Sequence, residues 1–315
     1  MTTTPVVSVD GLRKSFGDRE AVRDVSFEIS PGECVGLLGH NGAGKTVTIE
    51  MLEGYLARDA GSVSVLGVDP ARATGAWRER IGVVLQEVEV FPTLSVTETV
   101  RMFADLYTNP RPVEQTIELV GLSDARSSRV GMLSGGQKRR LDIALGLVGD
   151  PELLFLDEPT TGLDPAARRE AWTMIDGLTS LGMTILLTTH YMDEAQVLAD
   201  RLLILREGEI AAAGTYDELA ARHGDATSIS FDLPAHVTVE AVRAAVGVQA
   251  RRDGPRVELS SPDPQRDLFH LTAWAQRDGV SLGHLTVRRS SLEDVFLSLG
   301  AEPSVPAHAA SGTPR

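Results

Sequence analysis

Eight residues, Gly39 to Thr46, read Gly-His-Asn-Gly-Ala-Gly-Lys-Thr and fit the spacing G-x-x-x-x-G-K-[ST]. They lie between an apolar run, 34–38, and a helix-compatible run, 46–54. In that setting glycines let the backbone wrap a polyphosphate with successive N–H groups pointing inward. The following helix directs about half a positive charge at the same spot. Gly39, Asn41, Gly42, Ala43 and Gly44 would form the cradle, Lys45 would neutralise β/γ-phosphate charge and Thr46 would ligate Mg²⁺. Taken alone, the loop supports ATP or GTP binding, or a glycine-rich turn that merely starts a helix.

Two further stretches could do chemistry. Residues 153–158 are an apolar run ending in Asp157 and Glu158. At the C-terminal edge of a buried parallel strand, Asp157 can help hold Mg²⁺ and Glu158 can activate a water; a strand running into a solvated turn looks the same. Residues 133–137, Leu-Ser-Gly-Gly-Gln, form a second glycine-containing turn at the start of a helix. The Ser134 hydroxyl and the N–H groups of Gly135 and Gly136 there suit a γ-phosphate.

The elements that must position these residues follow from periodicity. Residues 6–29 alternate, most clearly at Val25, Phe27 and Ile29, and read as an antiparallel opening region. Strands are expected at 34–38, 62–66, 81–85, 153–156, 184–188 and 202–205, with helices at 166–181 and 192–199. Strands alternating with helices imply a mostly parallel sheet covered on both faces. Between 87 and 148 the β character fades and helices are expected at 96–107, 113–120 and 136–147, a helical insertion in the α/β core. From 224 to 300 the rhythm becomes βαββαβ, with a hairpin around Asp253-Gly254 and a closing amphipathic helix at 290–299. The Pro/Ala/Ser-rich tail, 301–315, is expected to be disordered.

Composition narrows the partners. The 315 residues carry a net charge of −14, and residues 1–222 hold 21 basic against 33 acidic side chains. That sign opposes a general nucleic-acid surface, which needs clustered Lys and Arg. The basic trio Lys138-Arg139-Arg140 reads as solvated surface, with an aid to the phosphate potential or a membrane-side contact as the alternative. Cys34, the single cysteine, cannot form an internal disulfide and reads as strand packing. The N-terminus shows no signal-peptide pattern, and no apolar stretch approaches the ~20 residues of a bilayer span, so a cytosolic chain is expected that meets a membrane only through a partner.

In their order along the chain, the phosphate loop 39–46, the pentad 133–137 and the pair Asp157-Glu158 resemble the nucleotide-binding subunit of an ATP-binding cassette (ABC) transporter, over roughly residues 5–222. The pentad separates this family from other P-loop ATPases; a kinase or GTPase would explain the loop but not the pentad. The resemblance implies a P-loop NTPase of the ABC ATPase type: a RecA-like core, an antiparallel β subdomain and a helical subdomain at about 87–148, all within 1–223. A small α+β domain would follow at 224–300. It also implies a head-to-tail homodimer in which Mg-ATP lies between the loop of one subunit and Ser134, Gly135, Gly136 and Gln137 of the other.

By the same resemblance Phe16 would stack on adenine, although a strand-core phenylalanine is the plainer alternative. Gln86 would touch Mg²⁺ and the attacking water, Asp164 would lie at the dimer contact, and His190 would hydrogen-bond the γ-phosphate. His40 sits at a variable position. Val47 stands where the family often has threonine, which leaves Thr46 and Thr48 as the hydroxyls beside the nucleotide.

Residues 290–299, Ser-Ser-Leu-Glu-Asp-Val-Phe-Leu-Ser-Leu, resemble the closing helix of daunorubicin-resistance-type exporter ATPases. That implies a separate ABC-2 type permease, drug or antibiotic export, and a place on the cytoplasmic face of the membrane. The competing class, a soluble ABC-type ATPase acting on DNA or ribosomes, commonly carries a second cassette or a long coiled coil, and this chain shows neither.

Overall fold

The computed structural model describes residues 4–85, 91–223 and 227–288. The expected closing helix at 290–299 and the tail at 301–315 lie outside the described residues. The chain divides into two compact units, residues 1–216 and 217–315.

In the first unit, β1 (Val7–Phe16) and β2 (Arg19–Ile29) form an antiparallel hairpin turned by Gly17 and Asp18. β3 (Cys34–Leu38) is buried along its whole length. After the phosphate loop come α1 (Lys45–Glu53) and β4 (Ala60–Val65), which pairs antiparallel with β1 to complete a three-stranded sheet, order β2-β1-β4. α2 (Gly75–Arg78) leads to β5 (Ile81–Val84). Three helices follow, α3 (Val96–Ala104), α4 (Val113–Leu119) and α5 (Gly135–Leu147), then β6 (Leu153–Asp157), α6 (Pro165–Ser180), β7 (Thr184–Thr189), α7 (Met192–Leu198), β8 (Arg201–Arg206) and β9 (Glu209–Gly214); α8 (Tyr216–His223) begins at the last residue of this unit and otherwise belongs to the second.

β5-β6-β7-β3-β8 pair in parallel, and β9 closes the edge of this six-stranded sheet antiparallel to β8. The parallel strands are fully apolar runs because both faces are covered. One core fills the space between this sheet and the helices α3 to α6; a second lies between it and the three-stranded sheet, where Val9, Leu12, Val25 and Phe27 meet Leu37, Phe155 and Leu203. Neither β9 nor α8 was expected from periodicity. The β9 sequence, Glu-Ile-Ala-Ala-Ala-Gly, has little intrinsic strand preference, and its conformation comes from pairing with β8.

The second unit runs β10 (Thr227–Asp232), α9 (Val239–Val246), β11 (Ala250–Asp253), β12 (Arg256–Ser261), α10 (Pro264–Asp278) and β13 (Gly283–Arg288). Its four strands are antiparallel in the order β11-β12-β10-β13, with Ile229, Phe231, Val257 and Leu259 packed against Val242, Leu271 and Trp274 of the helices. Asp253 is the last residue of β11 and pairs with Arg256, so the turn is centred on Gly254 and Pro255, one residue later than Asp253-Gly254.

Cys34 is fully buried, and burial pushes its thiol up to about 12, which leaves it packing rather than reactive. Glu53, at the end of α1, is only 4% exposed. Burial, with the charges of Asp157 and Glu50 adding to it, raises its carboxyl from 4.5 to about 8. A folded-state pKa above the unfolded one contributes stability that is full below pH 4.5 and is lost as the pH rises through about 8. Glu53→Gln should therefore flatten the decline of thermal stability over that range and raise the Tm at pH 8; each ~1 kcal/mol gained corresponds to about 2–4 °C. Unfolding curves recorded between pH 5 and 8.5, the span of roughly the stability maximum and its alkaline side, check this.

Candidate functional site

The site starts where β3 ends. Its next residue, Gly39, would place a Cβ 2.6 Å from the carbonyl oxygen of Leu205 at the end of β8. Gly44, at φ 109°, caps the start of α1, and a Cβ there would come within 2.5 Å of the Ala21 carbonyl on β2. The loop is thus wedged between two sheets, and side chains at either glycine would displace backbone. α1 opens at Lys45, which is 6% exposed; its Nζ donates to the Gly39 carbonyl at 2.7 Å and lies 3.8 Å from Glu158 Oε1. Burial lowers the pKa of Lys45, and the nearby Glu158 and Asp157 oppose that shift.

Above the loop opens a cavity of about 570 Å³ lined by Phe16, Arg19, Ala21, Asn41, Gly42, Gly44, Lys45, Thr46, Val47 and Glu158. Phe16 is half exposed, with the Lys14 ammonium 5.5 Å from its ring centre, so it is not a strand-core residue. Arg19 escaped the sequence reading. It pairs directly with Phe16 across the β1–β2 turn and reaches the Gly42 carbonyl at 3.4 Å, bringing a second cation to the cavity. A two-residue turn after Phe16 was the available signal, since it puts residue 19 opposite residue 16. Ala43 is buried in the loop, and Thr48 is fully buried beneath it, with its hydroxyl donating to the Gly44 carbonyl at 2.9 Å. Thr48 therefore braces the loop from below and does not line the cavity.

The neighbour order β6-β7-β3 brings three strand ends together. Asp157 closes β6, Glu158 follows it, Thr189 closes β7 and His190 follows. His190 Nδ1 stands 3.2 Å from Glu158 Oε1. Glu158 has φ 46°, a left-handed conformation that costs on the order of 1–3 kcal/mol for a residue with a side chain. Its N–H donates to the carbonyl and the hydroxyl of Thr188, each at 3.1 Å, and the Thr188 hydroxyl donates to Asp157. Thr188 is fully buried in β7 and is another residue that periodicity marks only as strand. Gln86 lies outside the described residues.

Ser134 and Gln137 cap α5 reciprocally: Gln137 N–H donates to Ser134 Oγ at 3.2 Å, and Ser134 N–H donates to Gln137 Oε1 at 3.0 Å. Gly136 is required within the chain, because a Cβ there would sit 2.9 Å from Ala167 Cβ, whereas Gly135 faces open space. Residues 133–137 are absent from the described lining of the chain's own cavity. Asp164 caps α6, accepting from Ala166 and Ala167 N–H at 2.9 and 3.0 Å, and these backbone bonds hold its carboxyl below the usual range.

The basic trio departs from the solvated surface expected of it. The trio 138–140 is not uniformly solvated: Arg139 is 6% exposed and donates to the carbonyls of Leu85, Asp157, Glu158 and Pro159. At about 100° per residue Lys138 and Arg139 point in different directions, and it is Arg139 that falls on the face of α5 turned to the core.

For Mg²⁺ the donor set fits. Thr46 turns its exposed side chain to the cavity, and Asp157 offers a carboxylate steadied by Thr188, so the available ligands are hard oxygens. Among the described residues no group of three His, Cys, Asp or Glu could hold a metal.

The parallel sheet, the phosphate loop at its central strand and the acidic pair on a nearby strand define a P-loop NTPase of the ABC ATPase type. The ABC transporter family profile matches residues 22–161, and the profile of the C-terminal domain of ABC transporter domain-containing protein-like sequences matches 227–291. The doxorubicin resistance ATP-binding protein DrrA of Mycobacterium tuberculosis is 36% identical, with 98% of each chain covered. Nod factor export ATP-binding protein I of Burkholderia lata is 39% identical over 94% of this chain and 97% of its own. Among solved structures, cbiO1 from Clostridium perfringens, part of the ABC transporter complex cbiONQ, is similar at a TM-score of 0.63 and 28% identity, covering 69% of this chain and 91% of that one. The chain belongs to the ATP-binding proteins of ABC transporters, ATPases whose hydrolysis is coupled to transport.

Lys45→Ala should weaken nucleotide binding on the order of 10- to 100-fold, the range for losing a charge-assisted hydrogen bond. Titration with a fluorescent ATP analogue measures it, and unchanged affinity would show that Lys45 does not meet the phosphates.

Proposed function

We propose that this chain is the ATP-hydrolysing subunit of an ABC-2 type exporter. Two copies close head-to-tail around two Mg-ATP and drive a separate permease, from the cytoplasmic face of the membrane, for efflux of drugs, antibiotics or other hydrophobic compounds. No helix among the described residues is long and apolar enough to cross a membrane. Support for export comes from the names of relatives that align over nearly the whole length, one a drug-resistance protein and one a Nod factor exporter. Residues 1–223 form the ATPase domain in this reading, with 87–148 as its helical subdomain and 224–300 as the small domain.

The observation that carries the catalytic assignment is the meeting of Lys45, Asp157, Glu158 and His190 at adjoining strand ends. Lys45 and the loop N–H groups take the β- and γ-phosphates, and Phe16 takes the adenine face. Thr46 and Asp157, with Gln86, would hold Mg²⁺, which neutralises phosphate charge. Glu158 accepts the proton of the attacking water, and His190, beside it, holds the γ-phosphate. The head-to-tail arrangement rests on the pentad: its helix N-terminus is an anion site, Gly135 leaves open space, and the chain's own cavity does not include it. Asp164 would lie at the same contact.

Glu158→Gln should retain ATP binding while turnover falls about 10²- to 10⁴-fold, the scale of general-base removal. Steady-state phosphate release measures this, and undiminished hydrolysis would sink the assignment. For the shared site, Lys45→Ala and Ser134→Arg chains, each inactive alone, should recover hydrolysis when mixed. A mixed dimer contains one site with both an intact loop and an intact pentad, so no recovery would mean that each chain completes its own site.

A further inference from the structure

Arg139 is the second residue after the pentad, and its guanidinium reaches through the interior to the catalytic strand ends. It donates to the carbonyls of Leu85 at 2.6 Å, Pro159 at 2.7 Å, Asp157 at 3.0 Å and Glu158 at 3.3 Å, with the Asp142 carboxylate 3.8 Å away. Leu85 follows β5 directly, and the other three carbonyls belong to consecutive residues around Glu158. A guanidinium at 6% exposure is costly to desolvate, and a packed apolar side chain of similar volume often serves stability as well. Its place is therefore better explained by what it holds than by what it stabilises.

What it holds is a strained backbone. Glu158 keeps φ 46°, and a non-glycine residue remains there only when its surroundings leave it no alternative. On the amide side Thr188 of β7 grips it through two hydrogen bonds from the Glu158 N–H. On the carbonyl side the grip comes from Arg139 of α5. A small backbone rotation at residue 158 would swing the carboxylate away from Lys45 and His190, which stand 3.8 and 3.2 Å from Glu158 Oε1.

We propose that Arg139 is a positioning residue for hydrolysis: by bonding the carbonyls of residues 157–159 it aims the Glu158 carboxylate at the attacking water. This rests on Glu158 being the base, as proposed above. Arg139 touches neither nucleotide nor water in this scheme, so its loss should act on the chemical step and spare binding.

The test uses the full-length chain with Arg139→Met, Arg139→Lys and Glu158→Gln, measuring kcat and KM for Mg-ATP hydrolysis, ATP affinity and thermal unfolding. Arg139→Met should lower kcat about 10- to 100-fold with ATP affinity unchanged, the scale of a misaligned catalytic group. Arg139→Lys, which keeps the charge and three donors, should recover part of the loss. If Arg139→Met fails to fold, the kcat and affinity of Arg139→Lys decide alone. The parent kcat in a folded Arg139 variant, with Glu158→Gln inactive, overturns the proposal. A kcat that falls only in step with affinity and folded fraction overturns it too, because that is the signature of a packing defect. Hydrolysis undiminished in Glu158→Gln instead removes the base assignment, and the positioning role with it.

Discussion

The site depends on the parallel pairing that sets β6, β7 and β3 side by side. Parallel neighbours end at the same edge of the sheet, so residues distant in the chain arrive together there. Loop 39–46, the pair Asp157-Glu158 and His190 are spread over about 150 positions, yet Lys45, Glu158 and His190 lie within ion-pair range. Buried Leu, Ile and Val along all three strands hold that register, because a slip would expose apolar surface at about 25 cal/mol per Å².

Around this edge the interior treats charge unevenly. Lys45 is desolvated but keeps two carboxylates nearby, while Glu53 and Asp142, drawn away from water, have carboxyls raised to about 8 and about 6. Burial disfavours any ion, and proximity to an opposite charge decides which ions persist. Arg139 fits the same logic: burial lowers its pKa, Asp142 and Asp157 oppose that shift, and main-chain carbonyls accept from its guanidinium. A buried cation is tolerable where oxygen dipoles surround it.

The glycines divide by the constraint that needs them. Gly39, Gly44 and Gly136 answer to neighbouring atoms of the same chain, whereas Gly135 meets none within 4 Å. In the proposed dimer that open place belongs to the partner's phosphate. The pentad then combines two functions in five residues, starting α5 through the Ser134–Gln137 cap and presenting its first turn outward.

Much of this protein was legible in the residues alone. Spacing revealed the phosphate loop, alternation and apolar runs revealed the strands of both units, and their order implied the α/β class, because these signals are local and set by backbone sterics and side-chain period. Arg139 read as surface and Thr188 as mere strand, since both bond to residues 18 to 54 positions away and no local pattern encodes such partners. Arg19 needed the hairpin closed, and β9 needed β8 beside it. Residue type and spacing pointed to the candidate groups for binding and hydrolysing a nucleotide. How Glu158 is held emerged with the packed fold, because the side chains of Arg139 and Thr188 there grip main-chain carbonyls and an amide, groups that every residue possesses and no residue type announces.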